Sequence, residues 1–119
     1  MFDTARHSEL VDAVFGLAPV IPVLAIDRIE DALPLCRALV DNGLPVLEIT
    51  LRTACALDAI ALVARELPHA CVGAGTVLSA TDLANVSDAG ARFAISPGAT
   101  DALFDAAKAS RTPLIPGIA

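Results

Sequence analysis

The chain has 119 residues, 55% of them hydrophobic and 18% charged, with a formal net charge of −6. That length and apolar content fit one folded domain around one core and exclude a disordered chain. The acidic balance, without any cluster of Lys and Arg, excludes a nucleic-acid or anionic membrane surface as partner.

No apolar run reaches the roughly 18 residues of a spanning helix. The opening segment MFDTARHSELVDAVFGLAP carries Asp3, Glu9 and Asp12 where a signal peptide would have a basic stretch and an apolar block. A cytoplasmic location is the expectation. Cys36, Cys55 and Cys71 are odd in number and widely spaced. They read as reduced thiols in core or helix positions, not as a disulfide framework or a zinc site.

In chain order, residues 5–15 predict a first helix with Leu10, Val11, Val14 and Phe15 on its apolar side. PVIPVLAI (19–26) is a nearly continuous apolar run, as expected of a strand covered on both faces. Asp27 and Glu30 read as the capping box of a second helix, whose stripe is Ile29, Ala32, Leu33, Cys36, Leu39 and Val40. Pro34 conflicts with that helix, and Asn42-Gly43 ends it. A strand over 45–51 and a helix over 54–66 follow, then a strand over 71–77 and a helix over 79–86, capped by Ser79 or Thr81 and closed by Gly90. The last elements are a strand over 92–96, a helix over 101–109 capped by Thr100, and a strand over 113–118. The echo between DNGLPVLEIT (41–50) and DAGARFAISP (88–97) reflects this repeating βα pattern, not a recent duplication.

Repeated βα units allow an open doubly wound sheet or a (βα)8 barrel. The first predicted strand runs into AIDRIED, without the glycines of a dinucleotide-binding turn, and GAGTVLS has only two of the three glycines. The second strand, PVLEITLRT (45–53), favours a barrel. Leu47, Ile49 and Leu51 share one face, while Glu48, Thr50 and Arg52 share the other. In a barrel the first set packs on helices. The second points into the lumen and reaches the C-terminal rim, where barrel enzymes place their sites. A Glu48–Arg52 salt bridge at the strand end is the structural alternative.

VLEITLRT (46–53), VGAGTVL (72–78), FAISPG (93–98) and PLIPGIA (113–119) fall at successive strand positions. In this order and spacing they resemble the 2-keto-3-deoxy-6-phosphogluconate (KDPG) aldolase family, also described as 4-hydroxy-2-oxoglutarate aldolases. The resemblance runs from about Pro19 to the last residue. It implies an α/β (βα)8 TIM barrel, of which residues 1–119 would be the N-terminal part of a single domain. That part would comprise four βα units, a fifth strand and an extra N-terminal helix. It further implies a homotrimeric class I aldolase acting on a small 2-keto acid, with no metal and no cofactor. A lysine forms a Schiff base with the keto carbon, and the C3–C4 bond breaks. The products are pyruvate and glyceraldehyde 3-phosphate, or pyruvate and glyoxylate. By resemblance, Glu48 is the general acid/base, Arg52 and Thr76 hold the pyruvate carboxylate, and Pro97 lines the pyruvate pocket. The glycines around Thr76 would let a ligand approach the backbone.

The family's lysine lies on a sixth strand, in a KFFPAE-like segment that does not occur here. The one lysine, Lys108, falls on the helix predicted over 101–109 and reads as a surface residue. The chain alone is therefore expected to lack the nucleophile a Schiff base needs. Two other readings stand beside this one. A non-catalytic half-barrel would associate through open strand edges. A different phosphosugar-handling barrel enzyme would carry other residues on its second strand.

Overall fold

The alternation of apolar runs and one-sided helices builds a single parallel sheet. The computed structural model describes residues 3–118. Its elements are α1 (Thr4–Phe15), β1 (Val23–Leu24), α2 (Ile29–Asp41), β2 (Val46–Thr50), α3 (Ala56–Glu66), β3 (Cys71–Gly75), α4 (Ala80–Asp88), β4 (Ala94–Ser96), α5 (Asp101–Ala109) and β5 (Leu114–Pro116). Ala119, the end of the last motif, lies outside the described residues.

All neighbouring strands are parallel, and the sheet order is β1-β2-β3-β4-β5. A doubly wound sheet reverses direction partway across; this one does not. Helices α2 to α5 pack side by side, α2 on α3, α3 on α4 and α4 on α5, as one layer. Sequential order with helices on one face is the winding of a (βα)8 barrel, so five consecutive staves of that fold are present.

The two strand faces separate as the alternation predicts. Leu47 and Ile49 are fully buried with Ala32, Cys36, Ile60, Val63, Val72 and Leu83 against the helix layer. Burying each of the leucine, isoleucine and valine side chains among them stabilises the fold by about 1.5–3 kcal/mol. Val46, Cys71 and Phe93 form a second cluster on the lumen face with Val14 of α1, and Ala18 and Ile21 pack against it. Helix α1 therefore covers the N-terminal end of that face, leaving the C-terminal end to the polar residues.

Several predicted boundaries move. The ladder of β1 spans two residues instead of 19–26, because Pro19 and Pro22 have no N–H to donate. Asp27 does not cap α2: Arg28 holds the N-cap position, with no side-chain bond to the helix. Pro34 does lie inside α2, on its exposed side with Glu30, whose carbonyl loses its intrahelical donor where solvent can replace it. Gly43, at φ 93°, ends α2 as expected. Helix α3 begins at Ala56, because a turn through Thr53 and Cys55 comes first. Strand β3 ends at Gly75 because Thr76 turns to φ 57°. Ser79, not Thr81, caps α4, accepting from the Asp82 N–H at 3.1 Å, and Thr100 caps α5.

Candidate active site

Glu48 sits mid-strand on the lumen face of β2 and is 8% exposed. Its Cα partner across the ladder is Gly73, and Thr50 faces Gly75. Both glycines lack a side chain where neighbours need the room. A Cβ on Gly73 would fall on the Phe93 ring, and one on Gly75 would fall on Oε1 of Glu48. The glycines of VGAGTVL thus admit protein side chains from both adjacent strands, where the sequence implied room for a ligand.

Burial raises the Glu48 carboxyl above its ordinary value of 4.5, and the Arg52 charge draws it back only in part. The two do not form a salt bridge: the ion pairs among the described residues are Arg28–Glu30, Arg65–Glu66 and Lys108–Asp105. Arg52 lies in the turn after β2, and its Nε donates to Thr76 Oγ1 at 3.3 Å. Thr76 is the one non-glycine with positive φ among the described residues. A β-branched residue in that region is strained and persists only where its surroundings hold it. The guanidinium therefore stands at the rim with its other N–H groups available for an anion.

The Glu48 carboxyl, reaching from mid-strand over Gly75, thus lies toward the same end of the sheet as Arg52 and Thr76. Pro97 stands at the same end, just past β4, and is exposed. Its carbonyl packs against Gly117, whose N–H donates to Ser96 O at 2.7 Å. Lys108 lies on α5 in the helix layer, exposed, with Nζ 3.1 Å from Asp105 Oδ1.

Side chains also fix the loop below this rim, a feature the strand pattern did not reveal. Thr50 Oγ1 donates to Leu24 O at 3.0 Å, and Thr53 Oγ1 to Ile26 O at 2.6 Å. Cys55 Sγ also donates to Ile26 O, at 3.0 Å. Polar groups of the β2 segment thus satisfy carbonyls of the β1 segment where the short ladder stops. The other thiols are buried in packing positions, Cys36 pushed up to about 11 and Cys71 raised as well, both chiefly by desolvation.

A sequentially wound parallel sheet with its helices in one layer is the class of a (βα)8 barrel. The family model for KDPG and KHG aldolase matches residues 11–119, and the chain belongs to that family. It is 52% identical over 107 residues to the KHG/KDPG aldolase of Escherichia coli K12, covering 90% of this chain and 50% of that one. It is 44% identical over all 119 residues to the 2-dehydro-3-deoxy-phosphogluconate aldolase of Pseudomonas aeruginosa, covering 54% of it. Among solved structures, the KDPG aldolase of Legionella pneumophila, captured with pyruvate as a covalent carbinolamine, superposes with a TM-score of 0.87 at 51% identity. That match covers 89% of this chain and 52% of the other. The chain spans about half the length of the curated relatives it matches.

Proposed function

We propose that residues 1–119 are the N-terminal part of a single (βα)8 barrel whose activity is class I aldol cleavage of a 2-keto acid. The substrates are KDPG, 4-hydroxy-2-oxoglutarate or both. The observation that carries this reading is Glu48: a carboxyl buried on the lumen face, raised by desolvation and flanked by an arginine it does not pair with. A group that must give and take protons works best when its pKa lies nearer the working pH than an ordinary carboxylate's.

In this reading Arg52 and Thr76 hold the carboxylate of the keto acid at the rim, and Pro97 lines the pocket beside it. A lysine amine attacks the keto carbon to give a carbinolamine. Glu48 delivers the proton with which the hydroxyl leaves as water, forming the imine. Breaking C3–C4 then leaves the electron pair on the enamine, while the C4 hydroxyl gives its proton to the Glu48 carboxylate as the aldehyde forms. Protonation at C3 and hydrolysis release pyruvate. The amine comes from outside residues 1–119, since Lys108 sits on the outer layer. A homotrimer in the cytoplasm is the expected setting for the whole protein.

Borohydride trapping with pyruvate tests this. The 119-residue chain is expected to yield no adduct. The chain continued through its downstream coding sequence should yield one, on a lysine beyond residue 119. A stable adduct on Lys108 overturns the reading.

A further inference from the structure

We propose that Gly75 is a positioning residue: its bare backbone is the seat that holds the Glu48 carboxyl against β3 on the lumen face. Neither Gly73 nor Gly75 has a positive φ, so the backbone itself does not require glycine at either place. Glycine in a strand interior weakens it, and two on one face of a five-residue strand need a steric reason. At Gly73 that reason is the Phe93 ring, and at Gly75 it is Glu48. The Glu48 Cα stands opposite Gly73, yet its carboxyl lies over Gly75. The side chain therefore leans one pleat toward the C-terminal end. A Cβ at Gly75 would also crowd Glu48 Cδ at 2.8 Å and Cγ at 3.0 Å, so the whole end of the side chain rests there.

Among the described residues no hydrogen bond or ion pair holds that rotamer. Arg52 is bonded to Thr76 and is not paired with Glu48. With a methyl on residue 75, the carboxyl would have to move toward the open rim, closer to solvent and to Arg52. Both changes favour the charged form.

The chain has four glutamates, Glu9, Glu30, Glu48 and Glu66, so a carbon-13 carboxyl titration resolves them, with Glu48→Gln identifying the signal. Gly75→Ala is expected to lower the titration midpoint of Glu48. Gly73→Ala, which strikes Phe93 instead, should leave that midpoint in place. Each overpacked variant should lower Tm by about 5–15 °C. Glu48→Asp withdraws the carboxyl by one methylene, so Gly75→Ala should lower Tm less in that background, and the double variant should fold even if Gly75→Ala alone does not. The proposal is overturned if Gly75→Ala leaves the Glu48 midpoint unchanged, if Gly73→Ala lowers it as much, if the Tm losses of Gly75→Ala and Glu48→Asp simply add, or if the double variant fails to fold. The catalytic meaning of the seat rests on the acid/base reading of Glu48. The titration needs no substrate, so a failed trapping experiment removes the aldolase reading and leaves the seat standing, and a failed titration does the reverse.

Discussion

Glu48 shows how one residue is set by opposing influences. Burial disfavours its charged form, Arg52 favours it, and burial is the larger effect. Between the ordinary carboxylate value of 4.5 and its raised folded value, the folded state holds more protons than the unfolded one. Stability from this group is therefore greatest at low pH and is lost as pH rises through the folded pKa. Glu48→Gln is expected to be more stable than the parent at neutral pH, the advantage vanishing below pH 4.5. Calorimetry across that range checks it, and an advantage that grows on acidification would contradict the burial argument. Thr76 carries the complementary strain. Its left-handed backbone costs roughly 1–2 kcal/mol for a residue with a Cβ, so Thr76→Gly should raise stability by up to about 1 kcal/mol. The same change removes the acceptor of Arg52, so if the proposed carboxylate-holding role is right, KM for the keto acid in a full-length barrel should rise about tenfold. The parity that put Glu48 and Thr50 on one face and Leu47 and Ile49 on the other was legible from the alternation alone. The seat at Gly75 was not: it depends on the register between β2 and β3, which no single strand encodes.

At the scale of elements, the helices were legible where a side chain does the capping and less so where none does. Ser79 and Thr100 each accept from an N–H three residues on, so their local sequence determines where α4 and α5 begin. Asp27 offers the same chemistry but stands one residue too early, and Arg28 takes the cap position without a bond. Ser79→Ala is expected to lower stability by about 1 kcal/mol, while Asp27→Ala should leave it within about 0.5 kcal/mol. Urea unfolding of the two variants gives the comparison, and equal losses would show that Asp27 supports α2 in another way. The strands shorten for a reason composition hides. An apolar run marks burial, whereas a ladder needs donors, and the prolines of residues 19–22 withhold them. The carbonyls of Leu24, at the end of β1, and of Ile26, just past it, are met by Thr50, Thr53 and Cys55, through contacts spanning 26 to 29 residues.

For the whole molecule the question is what happens at the two outer strands. In a closed barrel β1 and β5 would each have a second neighbour; among the described residues each has one. Strand β5 is partly protected by its own chain. The Leu114 N–H donates to His7 Nε2 at 3.1 Å, and Pro116 has no N–H to offer. Helix α1 thus screens the β5 edge as well as the N-terminal end of the lumen face. Strand β1 is less protected, with Val23 57% exposed. A donor released on β5 would give a second copy of the chain a place to add a strand, and the apolar β1 edge supplies a partner for it. His7→Ala should therefore increase self-association of the 119-residue chain at micromolar concentration, as read by sedimentation velocity. A Lys substitution at Val23 should reverse the increase by placing a charge on the receiving edge. If His7→Ala sediments like the parent across the concentration range, the histidine is not what guards that edge. The relatives, about twice as long, have chain enough to cover both edges within one molecule. On the proposed single-barrel reading, the His7 effect should disappear in a longer chain whose own strands cover both edges.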